Sequence, residues 1–326
     1  MLRVFYYDLC YNSNASFVFF KVGMQDFPVY LRTKADGHFD KKIGELDACL
    51  NPCVLCPRQC RADRAVGELG YCKAPYNIYI SSAFPHFGEE SPLVGMHGSG
   101  TIFLAHCNLK CIFCQNYDIS IYGDGYPCSH GQLATLMMEL QARGCHNINF
   151  VTPTHYVPHL IKALSMAIDM GLSVPIVYNC GGYESLEVIR LLDGIVDIYM
   201  PDIKFLDPTL SRRFCMAEEY PEVVKSVIRE MHRQVGDLFI NTRGIATRGL
   251  LIRHLVMPSY GEDTKHILRF IREEISQDAF VNIMAQYHPC NRAEDYPEIA
   301  RRISRMEYSE ALDYARDLGL SRAANH

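Results

Sequence analysis

Short apolar runs alternate with longer amphipathic segments along most of the chain from about residue 100 onward. The runs have strand length, and the segments between them carry apolar residues at helical spacing. The predicted strands are 101–105, 148–151, 174–179, 196–200, 250–256 and 281–286. The predicted helices are 131–144, 157–171, 184–192, 208–235 with a break, 264–276 and a last stretch from about 295 to 318. Continuous apolar strands separated by helices indicate an α/β fold whose parallel sheet is covered on both faces.

Polar residues collect directly after each predicted strand. The segments that follow the six strands, in chain order, read HCNLKC, TPTHY, NCGGY, PDIKF, MPSYGED and YHPC. Six strand–helix units form either an open doubly wound sheet or a partial barrel, and in both architectures chemistry is placed at the carboxyl ends of the strands. The sequence therefore predicts a site where these six segments meet.

Composition narrows the class of protein. The 326 residues are 48% hydrophobic and carry a formal net charge of −5, which disfavours a nucleic-acid-binding module that needs a basic surface. No apolar stretch reaches the roughly 18 residues of a membrane span, and polar residues interrupt any signal-peptide core near the start. We expect a soluble, cytoplasmic protein. Its fourteen cysteines, half of them in two tight groups, favour metal binding over disulfides.

Three cysteines follow the first strand of the repeating region at C-x3-C-x2-C spacing: Cys107, Cys111 and Cys114, called here the loop cysteines. The spacing also fits three buried thiols on one helix face, but Asn108 and Asn116 favour a loop. A cubic iron–sulfur cluster has four irons that each want a thiolate, so three cysteines leave one iron free for another ligand. An open position of this kind distinguishes a reactive metal centre from a structural one.

A second set lies upstream at C-x2-C-x3-C-x11-C spacing: Cys53, Cys56, Cys60 and Cys72, called here the N-terminal cysteines. Four thiols in a loop rich in Gly and Pro suit a closed site that holds zinc or a second iron–sulfur cluster, and spacing does not separate the two. Unliganded structural thiols are the alternative. A cluster here would relay electrons to the loop cysteines only if the two sets lie close together.

The loop cysteines and their context resemble the radical SAM superfamily, where SAM is S-adenosylmethionine. The motif follows the first strand of a strand–helix repeat, and Phe113 stands where the family usually has a bulky residue. The resemblance implies a partial (β/α)6 barrel over roughly residues 98–290. It also implies a [4Fe–4S] cluster whose free iron binds SAM, and reductive cleavage of SAM to a 5′-deoxyadenosyl radical. Within the superfamily, GSGTIFLAHCNLKCIFCQN, NINFVTPTHY, RHLVMP and VNIMAQYHP resemble pyruvate formate-lyase activating enzyme relatives of the PflX-like branch.

The resemblance also suggests residues that contact SAM. Many relatives carry Gly-Gly-Glu after the second strand, where this chain has Thr152, Thr154 and His155 instead. Asp202 and Lys204 match the family's Asp-x-Lys after the fourth strand. Further candidates are Asn179 and Arg253. A surface ion pair for Asp202 and Lys204, and a structural role for His155, are the alternatives. No catalytic residue is identified.

The domain prediction follows from these motifs: an unassigned segment 1–36, a cysteine-rich metal-binding region 37–97, the radical SAM core 98–290 and a helical extension 291–326. We expect an oxidoreductase that abstracts hydrogen, of the glycyl-radical activase type or a related one. Its expected partners are a flavodoxin- or ferredoxin-like one-electron reductant and a protein substrate, with neither nucleic acid nor membrane. The alternative is a non-catalytic iron–sulfur or zinc scaffold or electron carrier.

Overall fold

A mostly parallel sheet organises the computed structural model, which describes residues 28–324. Its strands are β1 Ile78–His86, β2 Ser99–Leu104, β3 Tyr126–Cys128, β4 Ile148–Val151, β5 Ile176–Cys180, β6 Ile198–Pro201, β7 Phe239–Ile240, β8 Ala246–Leu255, β9 Phe280–Met284 and β10 Ala323–Ala324. The strands lie in the order β10-β9-β8-β6-β5-β4-β2-β1-β3, and β7 pairs with β8 off this path. The predicted α/β class with a parallel central sheet is confirmed.

The six strands predicted from the apolar runs form the parallel core of this sheet. Strands β2, β4, β5, β6, β8 and β9 are neighbours in chain order, and each pairs in parallel with the next. Every residue of β5, β6 and β9 is buried, as expected for strands covered on both faces. Because all six run the same way, the segments that follow them meet at one edge of the sheet.

Helices connect and cover the strands. They are α1 Val29–Ala35, α2 Phe39–Ala48, α3 Ser91–Val94, α4 Tyr117–Ser120, α5 His130–Ala142, α6 Val157–Asp169, α7 Leu186–Leu191, α8 Pro208–Cys215, α9 Tyr220–Val235, α10 Gly261–Phe270 and α11 Arg305–Asp317. The predicted break within 208–235 falls at Met216, whose φ of 58° ends α8 in the left-handed region. A capping box between Ser129 and Gln132 starts α5.

The last helix begins later than its periodicity predicts. Ser304 and Glu307 form a capping box that starts α11 at Arg305, about ten residues after the predicted start near 295. Upstream, Pro297 interrupts the amphipathic pattern, and residues 293–295 form only one turn of 3-10 helix. The extension also contributes a strand, because β10 pairs with β9.

The cysteine-rich region is joined to the core sheet by strand pairing. Strand β1 runs antiparallel to β2, and β3 runs antiparallel to β1. Residues 1–27 lie outside the described part of the chain. Helix α1 packs near the amino ends of β5 and β6. There the Asp197 carboxylate accepts a hydrogen bond from Val29 N at 2.6 Å, and the Tyr30 hydroxyl donates one to the Val174 carbonyl at 2.8 Å.

Two apolar layers flank the parallel strands. The larger packs the helices against one face, and the smaller consists of Leu93, Val177, Ile198, Met200, Leu238, Ala246, Leu251 and Phe280. Between residues 28 and 324, none of the helices is both long enough and apolar enough to cross a bilayer.

Candidate functional site

A cavity of about 380 Å³ lies at the carboxyl ends of the parallel strands. Its walls come from the residues that end or follow β2, β4, β5, β6, β8 and β9, together with the loop after β1. Exposed residues at its rim, Gly88, Gln115, Asn116 and Gln286, open it to solvent. A cavity of this size suits a ligand of cofactor dimensions.

Strand alternation explains how polar side chains enter this cavity. Residues two apart on a strand point to the same face. Asn179, Asp202 and Arg253 therefore share a face with the residues two positions earlier, which belong to the smaller apolar layer. The smaller apolar layer therefore forms the base of the cavity, and the side chains of these three polar residues lie next to it.

The loop cysteines line the cavity together. The turn from Cys107 to Cys114 contains no helix, so the alternative of three thiols on a helix face is excluded. Leu109 N donates to Cys107 Sγ at 3.4 Å, and the amide of Asn116 donates to Cys114 Sγ. These amide donors stabilise negative charge on the two sulfurs.

Burial disfavours the thiolate form of the loop cysteines, so a nearby positive charge is needed to stabilise it. Burial raises the pKa of Cys107 to about 12, and repulsion by Cys111 adds to the effect. Lys204 counters this by acting electrostatically on all three sulfurs. Three thiols with one shared cation fit the thiolate donor set of a [4Fe–4S] cluster with one iron left open.

A compact charge network lies beside the loop cysteines. Lys204 Nζ and Arg253 Nε donate to the two carboxylate oxygens of Asp202, each at 2.8 Å, and Arg253 Nη2 donates to Asn179 Oδ1 at 2.7 Å. Burial alone would raise the pKa of Asp202, but the two cations outweigh it and hold the pKa below its usual value. The side chains of Asp202 and Lys204 are each 19% exposed, so this pair is an interior one rather than a surface ion pair.

Of the three residues after β4 that were predicted to contact SAM, one lines the cavity and two do not. Thr152 lines the cavity and has a φ of 59°, which is unusual for a β-branched residue. Thr154 and His155 lie outside the lining. The His155 ring is bonded through Nε2 to the Ala105 carbonyl at 2.8 Å, and burial lowers its pKa to about 3, so it is neutral. This geometry is that of a structural histidine.

The cavity also contains groups that the sequence did not single out. His86 ends β1 and Glu89 follows it, and His86 Nδ1 lies 3.2 Å from Glu89 Oε1. Glu89 Oε2 lies 3.7 Å from Arg253 Nη1, and its side chain is 6% exposed. Together with Asp202, Glu89 supplies the carboxylates among the described lining residues. The sequence FGEESPLVGMHGSG, which begins directly after β1, predicts a long polar loop, and nothing in its composition indicates that β1 would carry it to the cavity.

A buried carboxylate, Glu184, lies behind the cavity. It accepts hydrogen bonds from the Thr154 hydroxyl at 2.8 Å and the Tyr178 hydroxyl at 2.9 Å. Burial raises its pKa to about 7 despite these donors and one from the Cys180 thiol. Thr154 thus acts within this internal network.

Other cysteines lie near the site. Cys180 lines the cavity, as its strand-end position suggested, whereas Cys290 is outside the lining. Cys215, at the end of α8, is hydrogen-bonded to Cys111 and fully buried. No sequence pattern predicts that pair, because it depends on how α8 packs against the loop. The contact between them includes the hydrogen bond from Ile112 N to the Phe214 carbonyl at 2.9 Å.

The N-terminal cysteines lie close enough to one another to interact electrostatically. Cys53, Cys56 and Cys72 are buried, and Cys60 is exposed. In residues 28–324, no three Cys, His, Asp or Glu side chains converge on a point that would hold a single metal ion. That holds for both cysteine sets alike.

Comparison with known proteins agrees with this geometry. The sequence model of the Radical SAM superfamily matches residues 101–271, which is more than half of the chain. Two relatives come from Methanocaldococcus jannaschii. Uncharacterized protein MJ0674 is 34% identical over 291 residues, covering 86% of this chain and 79% of the relative. Uncharacterized protein MJ0808 is 23% identical over 290 residues, covering 82% of this chain and 77% of the relative.

Among solved structures, Streptococcus suis SuiB bound to precursor peptide SuiA is similar with a TM-score of 0.45 and 13% identity. The match covers 68% of this chain and 46% of that one, so this chain spans less than half the length of SuiB. A second structure of Streptococcus suis SuiB is similar with the same TM-score at 12% identity, covering 70% of this chain and 47% of that one. The superfamily match, together with the three thiols and the charge network at the strand ends, shows that the chain belongs to the radical SAM superfamily, whose members bind a [4Fe–4S] cluster and S-adenosylmethionine.

Proposed function

We propose that this radical SAM enzyme cleaves SAM reductively at a cluster held by Cys107, Cys111 and Cys114 and then abstracts a hydrogen atom from its substrate. When bound, the cluster and SAM supply one-electron cleavage of a carbon–sulfur bond, which yields methionine and a carbon radical. The observation that carries the proposal is the single cavity that gathers these three thiols with the charge network of Asp202, Lys204 and Arg253.

The protein's own residues would bind and orient SAM. SAM carries a carboxylate and an ammonium group, and the cavity offers both cations and carboxylates. Asp202 accepts from two cations at 2.8 Å, whereas Glu89 has the longer contacts, 3.2 Å to His86 and 3.7 Å to Arg253, and is therefore the acid more available to a ligand. We therefore assign Glu89 as the partner of the SAM ammonium, in place of the family's Gly-Gly-Glu. Asn179 and Thr152 are suited to polar atoms of the nucleoside.

The substrate is proposed from the resemblance to activating enzymes of the PflX-like branch. That resemblance favours a glycine in a partner protein, with the hydrogen atom moving from its α-carbon to the 5′ carbon. A flavodoxin- or ferredoxin-like reductant would supply the electron, and the cysteine usage suits a reducing cytoplasm. The proposal further includes a metal centre at the N-terminal cysteines. Transfer of deuterium from an α-deuterated glycine peptide into 5′-deoxyadenosine would support the activase type, and its absence with every partner protein tested would count against it.

The test of SAM cleavage uses anaerobically reconstituted full chain, dithionite and SAM, with 5′-deoxyadenosine as the product measured. Cys107→Ala should abolish the product. Cys145→Ala is the control for loss of a thiol, because Cys145 is a buried cysteine that lies outside the cavity. Product from Cys107→Ala, or none from a reconstituted and reduced wild type, would overturn the proposal and favour the scaffold or electron carrier.

A further inference from the structure

We propose that the N-terminal cysteines bind an iron–sulfur cluster that passes single electrons to the site of the loop cysteines, an inference that rests on the proposed function. In this transfer one electron moves from the N-terminal site to the loop site. The first is oxidised by one electron, the second is reduced by one, and no atom or proton moves. A reduced flavodoxin- or ferredoxin-like protein restores the electron.

Backbone geometry prepares the N-terminal thiols for metal binding. The amides of Leu55, Arg58 and Ala74 donate to the sulfurs of the cysteines two positions before them. The same pattern occurs at Cys107 and Cys114. Amide donors aimed at sulfur favour thiolate, which is the form that binds metal. The two cysteine loops are therefore built in the same way.

A buried cation marks the N-terminal site as one that holds negative charge. Arg64 is 2% exposed, and its guanidinium donates to the carbonyls of His155 at 2.6 Å and of Pro75. Its Nε has no hydrogen-bond partner, and the guanidinium forms no ion pair within residues 28–324. It acts electrostatically on Cys53 and Cys72. A buried charge without a counter-ion is costly. A metal centre with four thiolate ligands carries negative charge, so such a centre at the N-terminal cysteines would supply the counter-ion of Arg64.

Antiparallel pairing brings the two cysteine sets together. Ile80, near the start of β1, is opposite Leu104, at the end of β2. Cys72 lies six residues before β1 begins, and Cys107 lies three residues after β2 ends. Because paired antiparallel strands place the start of one beside the end of the other, both loops leave the sheet at the same place.

Side chains next to the N-terminal cysteines contact the loop that carries Cys107. Arg58 Nε donates to the Asn108 carbonyl at 3.2 Å, and its guanidinium stacks over the Tyr71 ring at 3.9 Å and the Tyr183 ring at 5.0 Å. Asn108 directly follows Cys107, and Tyr71 directly precedes Cys72. Tyr71 interacts electrostatically with both Cys107 and Cys111. This proximity is the condition that an electron relay requires.

The outer side of the N-terminal site faces solvent. Cys60 is its exposed member and lines a surface depression together with Arg61, Leu69 and Lys73. Gly70 permits this approach, since a Cβ atom there would collide with Cys60 Sγ. An electron donor reaches the site from this side.

The wild-type chain provides the first test. Full-length protein purified anaerobically and not reconstituted should contain about eight irons and about eight sulfides, as two cubic clusters require. After reduction, its spin-resonance spectrum should show magnetic broadening between neighbouring centres. About four irons with one zinc per chain would overturn the inference, and so would two clusters without magnetic interaction.

Paired variants locate the centres. Cys53→Ser/Cys56→Ser should retain about four irons and a signal that SAM perturbs, whereas Cys107→Ser/Cys111→Ser should retain about four irons and a signal that SAM leaves unchanged. With a reduced ferredoxin as donor, reduction of the loop site should slow at least tenfold in the first variant, and Cys145→Ser should match the wild type. An unchanged rate would overturn the relay. The two proposals fail separately. If the chain cleaves SAM but holds zinc at the N-terminal cysteines, only the relay is refuted. If the chain holds two clusters but does not cleave SAM, only the proposed function is refuted.

Discussion

Replacing Glu184 with Gln should make the free energy of unfolding less dependent on pH. Glu184 is 1% exposed, and burial raises its pKa from 4.5 to about 7. Because the folded chain holds this proton more tightly than the unfolded chain, the group stabilises the fold fully below about pH 4.5 and loses that contribution as the pH rises to about 7. The difference corresponds to about 3 kcal/mol, of which roughly 2 to 3 kcal/mol is lost between about pH 5 and about pH 8.

Glutamine is uncharged like the protonated carboxyl, with one acceptor oxygen and an amide that carries two N–H donors. The Thr154 and Tyr178 hydroxyls that face this side chain can accept as well as donate, so the variant removes the ionisation and keeps hydrogen-bond partners. Urea unfolding of the reduced, metal-free full chain should show Glu184→Gln gaining roughly 2 to 3 kcal/mol relative to wild type from about pH 5 to about pH 8. Asp197 and Asp263, whose pKa values burial raises to about 7 and about 6, titrate in both proteins and cancel in the difference. Glu187→Gln, an exposed carboxylate one turn further on, is the control and should show no trend. Parallel curves for Glu184→Gln and wild type would refute the reasoning.

Three further substitutions test the site and its support. Gly182→Ala should weaken SAM binding, measured by equilibrium dialysis, because Gly182 has a φ of +76° and the added Cβ would lie 2.5 Å from the Asp202 carbonyl oxygen. Gly171→Ala is the control for backbone strain, because Gly171 has a φ of +99° but no atom within 4 Å of the added Cβ, and it should leave SAM binding unchanged. Asp197→Asn should lower the free energy of unfolding by about 1 to 3 kcal/mol in urea titrations, because one of the two amides bonded to the carboxylate loses its acceptor. Glu89→Gln should weaken SAM binding by cluster-loaded protein about tenfold, as expected for loss of about 1.4 kcal/mol, and an unchanged affinity would remove Glu89 from the proposed site.

The parallel core could be predicted from the sequence because each of its strands is buried on both faces. Runs such as those of β5 and β9 must then be apolar throughout, and the helices between them must be amphipathic. Helix ends were less predictable. The start of α11 depends on a local capping box at Ser304, which outweighs the apolar periodicity upstream of it.

The cavity residues on strands could be predicted for the same geometric reason, and those on turns could not. Asn179, Asp202 and Arg253 end or follow strands whose alternation fixes the face that they share. Thr152 and Thr154 are only two residues apart, but a positive φ at Thr152 and a 3-10 turn at Thr154 direct one side chain to the cavity and the other to Glu184. An irregular turn has no periodic pattern from which side-chain directions can be predicted, so the sequence alone does not distinguish the two threonines.

The position of the N-terminal cysteines depends on a contact that no local pattern encodes. The run that forms β1 is a strand by its apolar spacing alone, but nothing in that spacing says which strand it pairs with or in which direction. Pairing with β2 carries Glu89 to the cavity at one end of the hairpin and the N-terminal cysteines toward the loop cysteines at the other. One antiparallel pairing therefore decides both the acid that we assign to the SAM ammonium and the distance that an electron must cross. A register change in β1 should disturb both together, whereas substitutions within either loop should disturb only one.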